Sequence, residues 1–249
     1  MIVRNNQELE KLKEIGHIVA VVRDRLMEMV EPGLMLKTLD DIAKTIFDEY
    51  DAKSAPIFDY DFPGQVCISL NEVAAHGIPD DTVIRAGDLV NIDVSALKDG
   101  FYADTGATKI AGMAINPIHV KLLDVSKKAL IAGISQAKVD NRVYHIGQAI
   151  HETAKSENFK VIKNLMGHGI GRALHEAPNE ISNYKVLTEN QKLKNGHVLA
   201  IETFISLNDE WVTQGNDEWA LVTKSGNRTA QFEHTIVICE TGPIIITEK

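Results

Sequence analysis

The chain has 249 residues, 44% of them hydrophobic and 24% charged, values that exclude a disordered or fibrous class and leave room for a sizeable core. Lys and Arg number 26 against 35 Asp and Glu, and the net charge of −9, with no basic run, argues against a nucleic-acid partner. Two cysteines without a C-x-x-C spacing, a polar start unlike a signal peptide and no apolar stretch near the roughly 20 residues of a membrane span point to a cytoplasmic protein with no membrane partner.

The first element is helical. Leu9, Leu12, Ile15, Val19, Val22, Leu26 and Met29 recur at steps of three and four and stripe one face, and Pro32-Gly33 stops the helix. Thr38, with Asp41 three residues on, predicts a second helix opened by a capping box and burying Leu39, Ile42, Ala43, Ile46 and Phe47. The period then changes to two, and residues 66–70 and 89–95 read as strands. Lys98-Asp99-Gly100 predicts a hairpin turn with a returning strand from Phe101. Helices are expected near 117–138, where Asn116-Pro117 offers a cap and a favoured first position, and at 143–157. Strands follow at 198–206, 219–223 and 235–239.

The order helix, helix, strands therefore occurs twice. Gly87-Asp-Leu-Val-Asn-Ile-Asp93 and Gly196-His-Val-Leu-Ala-Ile-Glu202 share a frame of Gly, x, two aliphatics, x, Ile, acid, and begin 109 positions apart. This reads as a duplicated α/β (α+β) unit with halves of roughly 1–110 and 111–249. No linker separates the halves, so one domain over 1–249 is expected.

Carboxylates inside apolar strands carry the chemistry. Asn91, Asp93 and Ser95 share one strand face, and the hairpin returns Asp104 toward it. Glu202 and Glu233 lie in the apolar stretches 198–206 and 230–238. Buried carboxylates without Lys or Arg beside them are costly unless a cation holds them. His168, within Met166-Gly-His-Gly-Ile-Gly171, is a nitrogen donor on which the three glycines allow close backbone approach and are expected to leave the imidazole exposed. Five O and N donors without thiolate suit a pair of divalent ions of borderline-to-hard character. No His-Glu-x-x-His occurs, which excludes that single-zinc chemistry. His76 and His175, in short contexts flanked by glycine or proline, read either as turn residues or as donors to a substrate amide and its oxyanion. Cys67 reads as a small lining residue rather than a nucleophile, and His17, His119, His145, His151, His197 and His234 as ordinary local histidines.

Together these stretches, with Cys67-Ile-Ser-Leu-Asn-Glu-Val, Ala75-His-Gly-Ile-Pro79, Asp104-Thr, His175-Glu-Ala-Pro178 and Glu233-His-Thr, resemble the type I methionine aminopeptidases over nearly the whole chain. The resemblance implies the pseudo-twofold pita-bread fold, an antiparallel-rich curved sheet with helices on its outer face. It implies removal of N-terminal methionine from nascent proteins when the second residue is small and uncharged, by hydrolysis assisted by two divalent ions (Co, Mn, Fe or Zn). One ion is expected on Asp93, Asp104 and Glu233 and the other on Asp104, His168, Glu202 and Glu233. Glu202 is expected to orient the water and take its proton, His175 to stabilise the tetrahedral intermediate, and His76 to contact the amide nitrogen. Phe62, Cys67 and Trp219 are expected around the methionine side chain, and a monovalent cation on Asn71, Val73 and Thr229. A monomer with transient ribosome contact is implied. Three features depart from the family's habit: Thr203 where proline is usual, Val139-Asp140 in place of Pro-Gly, and Asp59 where a pocket-edge aromatic is common. A non-catalytic peptide- or RNA-binding relative would be expected to lose ligands, and X-Pro-cleaving relatives to be longer chains.

Overall fold

A computed structural model describes residues 1–224 and 226–248. Helix α1 (Asn6–Met29) begins where the Asn5 side chain accepts the Glu8 amide, and ends at Val30 before the Pro32-Gly33 turn. Helix α2 (Leu36–Glu49) starts earlier than Thr38 suggested. Met35 is its N-cap and makes no side-chain cap bond. The expected capping box does not form because the loop supplies the acceptors: Leu36 N donates to the Thr82 carbonyl at 3.0 Å and Lys37 N to that of Asp80 at 2.9 Å.

The first group of strands is β1 (Lys53–Ser54), β2 (Cys67–Leu70), β3 (Val73–Ala75), β4 (Leu89–Lys98) and β5 (Phe101–Ile110), with the short helix α3 (Ala55–Tyr60) after β1. Strands β4 and β5 form the hairpin read from Lys98-Asp99-Gly100. Asp99 and Gly100 both take positive φ, 51° and 74°, as a two-residue turn matched to strand twist demands. Helix α4 (Pro117–Gln136), capped by Asn116, and helix α5 (Val143–Ser156) follow. The second group is β6 (Lys160–Val161), β7 (Met166–Gly169), β8 (Glu176–Ser182), β9 (Val198–Ser206), β10 (Val212–Gln214), β11 (Leu221–Thr223), β12 (Thr229–Val237) and β13 (Ile244–Ile245). The strand expected at 219–223 opens later because the Asp217 carboxylate accepts the Trp219 and Ala220 amides in a turn. The one expected at 235–239 is the tail of β12, which starts at Thr229.

All strand pairings among the described residues are antiparallel. Strand β4 carries β1 and β2 along one edge and β5 along the other, while β13, β12, β9, β7 and β8 lie in that order with β6 also on β9. A small sheet joins β10, β11 and β3. Along β4 the alternation divides labour: Val90, Ile92, Val94 and Ala96 are fully buried in one core with α1 and α2. A second core holds Leu199, Ile201 and Ile205 of β9 and Ala230, Phe232 and Ile236 of β12 with α4 and α5.

The two large sheets meet at β5 and β12, and no backbone ladder joins these strands among the described residues. Threonines bridge them instead. The Thr105 hydroxyl donates to the Glu233 carbonyl at 2.9 Å and the Thr108 hydroxyl to that of Gln231 at 2.8 Å. The Thr235 hydroxyl donates to the Asp104 carbonyl at 2.7 Å and accepts the Asp104 amide at 2.9 Å.

Candidate metal centre and substrate cavity

Register places the carboxylates. Asp104 lies opposite Ser95, two residues from Asp93 on the same face, and Glu202 lies directly opposite Glu233. The threonine seam then brings the two pairs to a common floor. Strand β7 adds His168 opposite Ala200 of β9. Its glycines permit this closeness: a Cβ on Gly167 would sit 2.4 Å from the Ala200 carbonyl oxygen, and one on Gly169 2.4 Å from that of Ala177. The imidazole is not exposed, as the glycines had suggested, but only 4% accessible, because β7 is wedged between β8 and β9. A carbonyl only accepts, so Nδ1 of His168 donates to Gly169 O at 3.0 Å, which leaves the Nε2 lone pair 4.0 Å from Asp104 Oδ2.

One ligand atom each from Asp104, His168 and Glu233 falls within 4.8 Å of the others. Asp104 Oδ1 and Glu233 Oε1 are buried with no hydrogen-bond partner, a state that burial penalises. Burial pushes the Asp93 carboxyl up to about 6 and those of Asp104, Glu202 and Glu233 well above the usual range, and mutual repulsion adds to it for the last three. Burial, then the neighbouring His175, drives His168 down to about 3, so its ring is neutral. The Cys67 thiol is raised by burial and the nearby carboxylates, so it stays protonated. Four carboxylates, two of their oxygens orphaned, and one neutral imidazole fit divalent ions that favour O and N donors.

These five residues form part of the wall of a cavity of about 530 Å³ that Phe62, Cys67, His76, His175 and Trp219 also line. The ten residues expected to hold the divalent ions or meet the substrate thus line one space. Phe62 is buried and meets Trp219 edge to face, ring centres 5.1 Å apart. His175 lies against His168 with ring centres at 4.1 Å. His76 adopts a left-handed φ of 56°, and the Gly77 amide beside it is held by the Ser69 hydroxyl at 3.1 Å. Burial lowers the pKa of both His76 and His175, favouring neutral rings. Outside the cavity, the Thr229 amide donates to the Asn71 carbonyl at 3.4 Å, which places those two residues side by side.

Two residues escaped the sequence. Gln231 donates from Nε2 to Glu233 Oε2 at 3.0 Å and accepts from Asn91 at 2.8 Å, linking the sheets beneath the carboxylates. Its place two residues before Glu233, on the same strand face, was a usable signal. Tyr60, whose hydroxyl lies 2.7 Å from His175 Nδ1, carried none. Among the other histidines, His145 accepts the Arg142 amide at the start of α5, His197 accepts the Lys194 amide, and His234 bonds the Thr247 hydroxyl.

Residues 10–240 match metallopeptidase family M24. The chain belongs to that family. This M24 metallopeptidase is 49% identical to a methionine aminopeptidase of Staphylococcus epidermidis, over 100% of its own length and 99% of the relative's. The crystal structure of a methionine aminopeptidase from Thermotoga maritima superposes with a TM-score of 0.95 at 35% identity, with 100% of each chain covered. A prolidase from Pyrococcus furiosus shares the pita-bread fold at 21% identity and a TM-score of 0.78, with 66% of that chain covered. No described helix of the M24 chain is long and apolar enough to cross a membrane.

Proposed function

We propose that this M24 metallopeptidase removes the N-terminal methionine of peptides whose second residue is small and uncharged. Its similarity over full length to methionine aminopeptidases supports the activity. The observation that carries the site is the buried cluster of Asp104, Glu233 and a neutral His168, in which one oxygen of each carboxylate has no hydrogen-bond partner. Two divalent ions, Mn, Fe, Co or Zn, would suit this donor set; Asp93, Asp104 and Glu233 would hold one, and Asp104, His168, Glu202 and Glu233 the other. When bound, such ions polarise the scissile carbonyl and lower the pKa of the attacking water toward neutrality.

The chain's own groups do the rest. Glu202 orients the water and takes its proton. His175 donates to the carbonyl oxygen as it gains negative charge, and His76 contacts the amide nitrogen of the leaving peptide. Phe62, Cys67 and Trp219 enclose the methionine side chain. Asn71, Val73 and Thr229 would hold a monovalent cation outside the cavity. Residues 1–249 act as one catalytic domain of two similar halves, as a monomer in the cytoplasm that meets nascent chains at the ribosome. The test is metal analysis of protein purified without chelator, alongside a panel of Met-Ala-Ser, Leu-Ala-Ser and X-Pro peptides. Bound metal with selective turnover of the methionine peptide supports the reading; faster cleavage of the leucine or proline peptides overturns it.

A further inference from the structure

Tyr60 ends α3 at the mouth of the cavity and lies across from His175. Its hydroxyl is 2.7 Å from Nδ1, and the two rings are 5.8 Å apart and tilted by 59°. A neutral imidazole has one N–H and one lone pair, and which nitrogen holds the hydrogen is set by the partner of the other. Burial and the adjacent Asp59 raise the Tyr60 pKa, so the phenol keeps its proton and has one to give. The Asp59 carboxylate itself accepts from the Tyr102 hydroxyl at 3.2 Å.

We propose that Tyr60 is a positioning residue for His175: its hydroxyl donates to Nδ1 and thereby fixes both the ring's orientation and the Nε2–H tautomer. His175 then meets the reacting carbonyl as a donor. Without this bond the ring is free to flip, which turns Cε1–H toward the oxygen, or to carry its hydrogen on Nδ1, which presents a lone pair to an oxygen that is becoming an anion. The bond spans 115 residues and depends on a short helix placing a tyrosine at the rim, so it belongs to this chain's particular rim and not to the carboxylate floor. The inference rests on the donor role given to His175 above.

The test is Tyr60→Phe, which removes only the hydroxyl. With Met-Ala-Ser, kcat should fall about 3- to 10-fold while KM stays within about twofold, since the interaction serves the transition state. In ¹⁵N-histidine-labelled protein, metal-free and zinc-loaded, the His175 ring shifts should report Nε2–H in the parent and a mixture in the variant. In a His175→Ala background, Tyr60→Phe should leave kcat unchanged. Unaltered ring shifts, or an equal loss of kcat in that background, overturns the proposal. If His175→Ala alone leaves kcat intact, the donor role of His175 fails, and the ring shifts still decide whether Tyr60 holds the imidazole.

Discussion

Glu202 and Glu233 face each other across β9 and β12, and burial and repulsion keep both carboxyls protonated at a pH where exposed ones have ionised. A divalent ion must therefore displace protons to bind, and its affinity should climb with pH well beyond the ordinary carboxylate range. Calorimetry in buffers of different ionisation enthalpy reads the released protons; a proton count near zero at neutral pH contradicts this. Glu202→Gln keeps the side chain's size but removes the proposed base, so kcat should drop about 10²- to 10⁴-fold while a Met-Ala-Ser peptide still binds. His175→Ala should lower kcat more than it raises KM, because its contact strengthens as charge develops on the oxygen. The proposed selectivity rests on crowding, since His76, His175 and the carboxylates line one cavity. Displacement by about 1 Å costs on the order of 10²-fold in rate, so Met-Ala and Met-Gly peptides should outrun Met-Ile by about that factor. Comparable turnover of Met-Ile would remove the steric argument.

At the scale of elements, β7 is the tightest fit. A methyl group on Gly167 meets the carbonyl of Ala200 in β9, and backbone there has nowhere to retreat. Gly167→Ala should cost about 1–3 kcal/mol in urea unfolding and weaken metal binding as well, because the shifted strand carries His168. An unchanged ion affinity in a destabilised variant would separate the strand from the site. Much of this element-level order was legible in the residues. Alternation along 89–95 and the turn at Asp99-Gly100 put Asp93 and Asp104 on one face, and the apolar run 198–206 matched β9 to its ends. The start of α2 was not legible, since its first amides are satisfied by the loop at Asp80 and Thr82 rather than by a local side chain. His168 looked exposed because glycines usually mark loops, whereas here they admit two flanking backbones. Tyr60 acts through a partner 115 residues distant, a meeting that no local period encodes, whereas the strand period of two from Glu233 points to Gln231.

For the whole molecule, the two cores pack without help from the carboxylate floor, so stripping metal should abolish hydrolysis and leave a cooperative unfolding transition. Loss of far-ultraviolet circular dichroism on chelation would contradict this. The metal-free protein should nevertheless respond to pH. Carboxyls whose folded pKa lies above the unfolded value hold protons that the unfolded chain releases, so stability declines as pH rises through the folded values. Buried histidines such as His168, near 3, and His234, near 4, act in the opposite sense, but only below the ordinary 6.5 of the unfolded chain. Above that value the raised carboxyls of Asp104, Glu202 and Glu233 dominate, so Tm without metal should fall as pH rises beyond 6.5, with saturating Mn²⁺ removing most of the slope. The threonine seam extends this to the time domain. The amides of Asp104 and Gln231 are closed by the hydroxyls of Thr235 and Thr108, at 2.9 Å and 3.0 Å, rather than by ladder carbonyls. Whenever the two sheets breathe apart, those amides open to solvent deuterium while the β4–β5 ladder stays shut. Ions gripped from both sheets would make such openings rarer, so metal loading should appear as slower exchange at those two amides, a clock set by the seam.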